Sequence, residues 1–179
     1  MKDAWPEYKK RDIEMAGIAG NGESALRDLN GKVAWITGAG TGIGQAGAVS
    51  LAQAGMEVIL SGRRRENLEE TAALVEKSGK TPVIEELDVS DNDSVSRVVA
   101  RIEERFKRLD VAVLSAGINV KNRSWKEVET QGWDSVVDID LNGAFYCCRS
   151  VLPIMRRQKE GLIVNVASWA GVRVSKLTG

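Results

Sequence analysis

The stretch Lys32-Val-Ala-Trp-Ile-Thr-Gly-Ala-Gly-Thr-Gly-Ile-Gly44 joins a short apolar run to closely spaced glycines, and an Ala-rich segment follows it. We interpret Val33 to Ile36 as a buried parallel strand that ends near Gly38, where the chain turns sharply. Gly42 and Gly44 have no Cβ, so a phosphate group can approach the backbone N–H groups at the start of the next helix. The stretch therefore predicts a strand, a turn and a helix that together bind a pyrophosphate.

Two glycine spacings compete within this stretch. Gly42, Gly44 and Gly47 fit G-x-G-x-x-G, whereas Gly38, Gly42 and Gly44 fit G-x-x-x-G-x-G. Because the tight turn has to begin where the strand ends, we take Gly38 as the first glycine of the motif. Gly47 is then expected inside the helix, where it packs on the sheet. A glycine-rich turn that binds no ligand is the alternative interpretation.

The residue types that the chain lacks restrict its chemistry. It has no His and only two Cys, the neighbours Cys147 and Cys148. Nucleophile triads that need His and zinc sites ligated by His are therefore excluded, and we predict no metal site. The two Cys are expected to be small apolar residues on a helix, with a strained disulfide between them as the alternative. Acid–base chemistry has to use Tyr, Lys, Ser, Asp or Glu.

Length, charge and hydropathy limit the class of protein. The 179 residues suit one α/β domain, and a hydrophobic content of 43% is enough to bury a core. The 25 basic and 25 acidic residues balance, which leaves no electrostatic attraction to nucleic acid or to an anionic membrane. No window approaches the ~18 apolar residues of a membrane span, and the N-terminus lacks the apolar core of a secretory signal. We predict a cytoplasmic protein without nucleic-acid or membrane partners.

Strands and helices alternate after an N-terminal extension. Residues 1–30 show no sustained period and are predicted to be loosely ordered, while residues 31–179 are predicted to form a dinucleotide-binding, Rossmann-like domain. Short apolar runs predict five strands, at 33–36, 57–61, 83–87, 111–115 and 162–166. With helices as right-handed crossovers, the predicted fold class is α/β with a doubly wound parallel sheet.

Two predictions concern individual helices. Ser90 and Asp93 are expected to form a capping pair at the start of the helix that follows the third strand. A long helix is expected over Asp134 to Arg157. Its predicted inward residues are Val137, Leu141, Ala144, Cys148, Leu152 and Met155.

Several motifs lie at the predicted strand ends. They are Thr37-Gly-Ala-Gly-Thr-Gly-Ile-Gly44, Leu87-Asp-Val89, Ala116-Gly117 and Gly161-Leu-Ile-Val-Asn-Val-Ala-Ser-Trp-Ala-Gly171. With the segment Trp133 to Phe145, they resemble the short-chain dehydrogenases/reductases over almost all of the span from about Asn30 to Gly179. The resemblance implies a cofactor site formed by Thr37, Gly38, Gly40, Thr41, Gly42, Ile43, Gly44, Asp88, Val89, Ala116 and Gly117.

The same resemblance implies an activity and an assembly. Hydride would move between the nicotinamide of the cofactor and a small carbonyl or alcohol substrate. Ser168 falls on the catalytic Ser of the family and would hydrogen-bond the substrate oxygen. The alternative for Ser168 is a strand-end hydroxyl that satisfies a turn. The helix that begins near Trp133 would pair with its copy in another subunit, which implies a homo-oligomer.

Cofactor choice is predicted from the end of the second strand. An acidic residue there binds the ribose 2′-hydroxyl of NAD, whereas an Arg accommodates the 2′-phosphate of NADP. Here Ser61 and Gly62 are followed by three consecutive arginines, of which Arg63 is the first candidate for a phosphate clamp and Arg64 the second. NADP is therefore the predicted cofactor, with NAD as the second choice. A solvated basic turn that balances nearby glutamates is the alternative.

The sequence also departs from the family pattern. Leu114 and Ser115 stand where the family has two Asn, and Asp140 stands at the catalytic Asn. An ionised Asp accepts hydrogen bonds but donates none, although its charge could hold a water or a Lys. The catalytic Tyr-x-x-x-Lys of the family would lie past Gly179. We therefore expect this chain to be an inactive N-terminal fragment, in which the C-terminal part of the family fold is missing.

Two other functions remain open on the sequence. One is a non-catalytic dinucleotide-binding or regulatory module. The other is a Rossmann-like transferase with a different adenine ligand, which fits less well because the long glycine loop is suited to a pyrophosphate.

Overall fold

A five-stranded parallel sheet organises the chain in our computed structural model, which describes residues 29–121 and 124–168. The strands are β1 (Val33–Thr37), β2 (Glu57–Gly62), β3 (Val83–Glu86), β4 (Val111–Leu114) and β5 (Leu162–Asn165). Their order is β3-β2-β1-β4-β5, and each neighbouring pair is parallel. The predicted doubly wound α/β fold is confirmed.

Helices cover both faces of the sheet. They are α1 (Gly42–Gln53), α2 (Arg65–Glu76), α3 (Asn92–Phe106), α4 (Thr130–Val136) and α5 (Gly143–Gln158), with a π-helical turn, Val137–Asn142, between the last two. Side chains of β1 alternate between the two faces, as the pleat of a strand requires. Val33 and Trp35 pack with α3 and α5, whereas Ala34 and Ile36 pack with α1 and α2. Burial on both faces explains why β1 is an uninterrupted apolar run.

The predicted long helix differs from the observed one in the face that it buries. The π-helical turn interrupts it, and Leu141 and Leu152, predicted to face inward, are 64% and 39% exposed. The buried residues are Ile139, Gly143, Cys147, Val151, Ile154 and Met155. Two apolar stripes lie side by side on this helix, and a π-helical turn changes the angle per residue on which periodicity arguments rest. The prediction was wrong for Leu141 and Leu152 for this reason, whereas Met155 is buried and Cys148 packs against the core as predicted.

The N-cap of α3 is also different from the predicted one. Asp91 caps the helix, and its carboxylate accepts a hydrogen bond from the N–H of Asp93 at 2.9 Å. Ser90 instead donates its hydroxyl to the Asp88 carboxylate at 2.7 Å. The N–H of Asp91 donates to the carbonyl of Asp88, so a turn separates Ser90 from the helix start. The predicted Ser90 cap was therefore wrong by one position.

Two predictions fall partly outside the described residues. Residues 1–28 of the predicted extension are not described, while Leu29 packs against the cluster formed by β1, α1 and α2. Residues 169–179, the end of the predicted dinucleotide-binding domain, are likewise not described. Within 29–121 and 124–168, no helix has the length and apolar character needed to cross a membrane.

Asp110 joins the starts of β1 and β4 at the amino ends of the strands. Its side chain is 5% exposed and lies 3.5 Å from the Lys32 ammonium. It accepts hydrogen bonds from the Val33 N–H at 2.8 Å and from the Arg108 guanidinium at 2.8 and 2.7 Å. Burial alone would raise the pKa of Asp110, but the bonds from Arg108 and Val33 outweigh it and lower this pKa below its ordinary value.

We expect Asp110→Asn to lower the free energy of unfolding by about 2 kcal/mol near neutral pH, because the variant loses charge-assisted hydrogen bonds. A carboxylate with a depressed folded pKa stabilises above its unfolded pKa, and this contribution disappears as pH falls through the folded pKa. The difference in unfolding free energy between wild type and variant should therefore become smaller at acid pH, as measured by urea unfolding across pH. The exposed control Asp134→Asn should change stability by less than about 0.5 kcal/mol. A gap that stays constant down to the acid transition would contradict this account.

Candidate functional site

A cleft of about 360 Å³ lies at the carboxyl ends of the central strands. β1 is placed between β2 and β4, so the chain leaves β1 and β4 in opposite directions and opens a crevice there. Most of the predicted cofactor residues line this cleft. These are Gly38, Gly40, Thr41, Gly42, Ile43, Arg63, Arg64, Asp88, Val89, Ala116 and Gly117.

Gly38 and Gly44 make the close packing of the turn possible. Gly38 has a φ of +65°, and a Cβ on it would lie 2.6 Å from the carbonyl oxygen of Ser115. A Cβ on Gly44 would collide with the carbonyl of Gly38 itself, and Gly44 does not line the cleft. Gly44 therefore allows helix α1 to fold back against the turn. The expected packing of Gly47 on the sheet was wrong, since a Cβ there would meet no atom within 4 Å.

Gly42 faces the open space of the cleft. Its φ is +58°, and a Cβ there would find no protein atom within 4 Å. Helix α1 begins at this residue, its Thr41 N-cap makes no side-chain capping bond, and its first turn holds no acidic residue. The first N–H groups of the helix and its positive dipole end are therefore available to an anion in the cleft. The turn thus fits a pyrophosphate.

The arginines after β2 divide into two kinds. Arg65 is bound within the protein, to Glu69 at 2.8 Å and to Glu86 at 3.0 Å. Arg63 and Arg64 are exposed, line the cleft and have no ion-pair partner within the described part of the chain. Two guanidinium groups that no described carboxylate binds therefore lie at the end of β2, where the sequence predicted a phosphate clamp.

The Asp88 carboxylate accepts hydrogen bonds within its own turn. It accepts them from the N–H of Ser90 at 3.0 Å and from the Ser90 hydroxyl at 2.7 Å. The following Val89 is 6% exposed and lines the cleft wall. These hydrogen bonds therefore fix the turn beside the cleft, where it forms a rigid wall against which a planar ring could pack.

Thr37 lies behind the cleft rather than in it. Its hydroxyl is buried and accepts hydrogen bonds from the N–H groups of Ser115 and Ala116, both at 3.2 Å. This hydroxyl joins the end of β1 to the end of β4. The two strands are thus braced here although the sequence lacks the two Asn of the family pattern.

A second cavity of about 370 Å³ adjoins the cleft and brings Ser168 and Asp140 together. It lies between the ends of β4 and β5 and helix α5. The walls shared by the two spaces are Val89, Ser115, Ala116, Gly117 and Val166. A group held at the inner end of the cleft would therefore lie next to this cavity.

The polar residues of the second cavity differ in their surroundings. Asp140 accepts a hydrogen bond from the N–H of Ile118 at 2.8 Å, which fixes the segment after β4. Ser168 is exposed at the carboxyl side of β5. Burial raises the pKa of Cys147 to about 12, so this thiol stays protonated and is a poor nucleophile at neutral pH. Both Cys147 and Cys148 are free thiols, as expected.

Sequence reasoning missed several residues that line the two spaces. They include Asn67, Leu68, Ser115, Ile139, Gly143, Asn165 and Val166. Ser115 and Val166 directly follow strands and could have been found by that position, because the strands of a parallel sheet end at the same edge. Asn67 carries no such signal, since it reaches the cleft only through the packing of α2.

Residues 32–178 match the family model described as short chain dehydrogenase. The chain belongs to the short-chain dehydrogenase family, whose members are oxidoreductases with a Rossmann-type NAD(P)-binding fold.

Similar proteins include both NAD- and NADP-bound members of this family. A 3β-hydroxysteroid dehydrogenase of Mediterraneibacter gnavus is 39% identical over 142 residues, which cover 79% of this chain and 51% of the relative. The structure of NAD⁺-bound xylitol dehydrogenase is 32% identical with a TM-score of 0.80, and the match covers 83% of this chain and 57% of that one. A metagenomic short-chain oxidoreductase in complex with NADP is 28% identical with a TM-score of 0.79, covering 83% and 67%. The chain spans about half to two thirds of the length of these relatives.

Proposed function

We propose that this chain forms the cofactor-binding part of an NADP(H)-dependent oxidoreductase that acts on a carbonyl or alcohol substrate. The observation that carries the proposal is the position of Arg63 and Arg64 in the cleft wall at the end of β2, where neither guanidinium has an ion-pair partner among residues 29–121 and 124–168. The position at the end of β2 that selects NAD holds no acidic residue, because Gly62 stands there. The charge of the cleft at this point favours a 2′-phosphate over a 2′-hydroxyl.

The remaining residues of the cleft fit the other parts of the same ligand. The open space at Gly42 and the start of α1 suit the pyrophosphate, and the wall at Asp88 and Val89 suits the adenine. Ala116 and Gly117, which line both spaces, would hold the nicotinamide end beside the second cavity. When bound, the nicotinamide supplies or accepts the hydride.

Ser168 and Asp140 are the proposed catalytic residues of the second cavity. The Ser168 hydroxyl would donate a hydrogen bond to the substrate oxygen and orient it. The Asp140 carboxylate would fix the loop after β4 through Ile118 and hold a water or a cationic group by charge. Residues 1–179 contain no Tyr-x-x-x-Lys after Ser168. We therefore expect this segment alone to bind cofactor without turning substrate over.

We further propose that the protein is a homo-oligomer in a reducing cytoplasm. Support for the assembly comes from one side of the segment that runs from α4 to α5. Its exposed apolar residues are Trp133, Leu141, Phe145 and Leu152. Support for the compartment comes from the two free thiols.

Arg63→Ala is expected to lower NADPH affinity by about 10- to 100-fold and to leave NADH affinity within about twofold, because the lost contact is a charge-assisted bond to the 2′-phosphate. Calorimetric titration of both cofactors measures the change in preference. Arg65→Ala is the matched control. Arg65 forms ion pairs with Glu69 and Glu86, so its loss should lower NADPH affinity less than the loss of Arg63. Equal wild-type affinities for NADPH and NADH, or an unchanged preference in Arg63→Ala and Arg64→Ala, would refute the proposed cofactor choice.

A further inference from the structure

Thr71, on helix α2, is a fully buried hydroxyl that reaches the glycine turn. Its Oγ1 lies 2.9 Å from the carbonyl oxygen of Ala39 and accepts a hydrogen bond from the side-chain amide of Gln45 at 2.9 Å. The carbonyl of Asn67, one turn earlier on the same helix, is a second possible acceptor at 3.1 Å. The Gln45 amide also approaches the carbonyl of Gly40 at 3.5 Å. Two side chains from two helices therefore hold two consecutive carbonyls of the turn.

The direction of these carbonyls determines what the turn offers to the cleft. In a planar trans peptide the C=O and the N–H of the next residue point to opposite sides. Because the carbonyls of Ala39 and Gly40 point to Thr71 and Gln45, the N–H groups of Gly40 and Thr41 point away from these side chains. Gly40 and Thr41 line the cleft, and neither N–H has a hydrogen-bond partner within the described part of the chain. The arrangement turns donors toward the cleft and acceptors away from it.

Helix α2 connects this support to the arginine segment. It begins at Arg65, directly after Arg63 and Arg64. The side chain of Asn67 packs on Gly40 so closely that a Cβ on this glycine would lie 2.8 Å from the Cβ of Asn67. One helix therefore supports the turn that faces the pyrophosphate and also follows the segment that faces the 2′-phosphate.

We propose that Thr71 and Gln45 are positioning residues for dinucleotide binding. They hold the carbonyls of Ala39 and Gly40 out of the cleft, so that the turn presents N–H groups rather than carbonyl oxygens to the pyrophosphate. The inference rests on the proposed function and extends it to residues that do not touch the ligand. Loss of the support should weaken the pyrophosphate contact common to both cofactors, and should leave the choice between NADPH and NADH unchanged.

The test compares Thr71→Val, which keeps the shape but loses the hydroxyl, with Thr71→Ser, which keeps the hydroxyl. Calorimetry gives the dissociation constants of NADPH, NADH and adenosine 2′-monophosphate, a probe with the 2′-phosphate and no pyrophosphate. Thr71→Val should weaken NADPH and NADH alike by about 10-fold and the probe by less than about twofold, since one buried hydrogen bond is lost. Thr71→Ser should bind NADPH within about threefold of wild type. Gln45→Met should likewise weaken NADPH and NADH binding and leave the probe almost unchanged. If Thr71→Val does not fold, Gln45→Met decides the test.

Ser78→Ala is the matched control for an effect on the fold alone. Its hydroxyl donates to the carbonyl of Val75 at 2.6 Å at the far end of α2, so its loss should lower stability but not affinity. Wild-type NADPH affinity in both Thr71→Val and Gln45→Met would overturn the inference. So would an equal loss for NADPH and the 2′-monophosphate, because Thr71 would then act through the fold. A wild type that binds neither NADPH nor NADH would instead overturn the proposed function itself.

Discussion

Gly42→Val is expected to abolish binding of both NADPH and NADH, with a loss of at least about 100-fold in affinity. Gly42 has a φ of +58°, which L side chains rarely adopt, and the space beside it is open to the cleft. A branched Cβ would occupy the approach of the pyrophosphate to the start of α1. It would also strain the backbone that aims the N–H groups.

Gly79→Val separates these two effects. Gly79 has a φ of +80° and no atom within 4 Å of a Cβ, but it follows the end of α2 and does not line the cleft. The Gly79→Val variant should therefore have similar backbone strain and a lower melting temperature. Its cofactor affinity should stay within about threefold of wild type. Calorimetric titration with thermal unfolding of both variants measures the contrast. Retained binding in Gly42→Val would mean that the phosphates lie elsewhere.

Ser168→Ala, in the full-length protein, is expected to lower kcat/KM by about 10²- to 10³-fold, as removal of one hydrogen-bond donor to a reacting oxygen does. NADPH affinity should stay within about twofold, because Ser168 lines the second cavity and not the cleft. The loss should therefore appear in turnover and not in the dissociation constant of NADPH. Steady-state kinetics with a panel of carbonyl substrates and cofactor titration measure the two quantities.

Ser150→Ala is the control for this variant, since Ser150 lies on α5 and lines neither space. Its turnover should match wild type. Unchanged kcat/KM in Ser168→Ala would exclude Ser168 from the chemistry. A full-length protein that binds NADPH tightly but turns over no carbonyl or alcohol would favour the non-catalytic module.

The strands and the position of the cleft could be predicted because their signals are local. A parallel strand that is buried on both faces is a short apolar run, and the glycines after β1 mark the turn. That Arg63 and Arg64 lie beside the cleft follows in the same way, because they come directly after β2. The carboxyl ends of β1, β2 and β4 meet at one edge, so residues that follow these strands converge without further information.

The buried face of the helix after β4 could not be predicted in the same way. Leu141 and Leu152 keep a helical spacing, and so do Cys147 and Val151 one stripe away. A choice between the two stripes needs the angle through the π-helical turn, which depends on tertiary packing.

The support of the glycine turn was invisible to sequence reasoning for a different reason. Gln45 and Thr71 are 26 residues apart, and Thr71 and Ala39 are 32 apart. A Thr in the middle of a helix usually indicates nothing more than a half-buried position. Only the packing of α1 against α2 brings these groups together. The same holds for the hydrogen bonds by which the Thr37 hydroxyl joins β1 to β4.

The structure of the protein determined with NADPH tests the central claim most directly. We expect one NADPH in the cleft, with its pyrophosphate over the turn at Gly42 and the N–H groups of Gly40 and Thr41 on its side. The 2′-phosphate should lie within about 3.2 Å of a guanidinium nitrogen of Arg63 or Arg64, the distance of a charge-assisted hydrogen bond. An NADPH bound away from this edge of the sheet, or a 2′-phosphate that contacts neither arginine, would contradict the account.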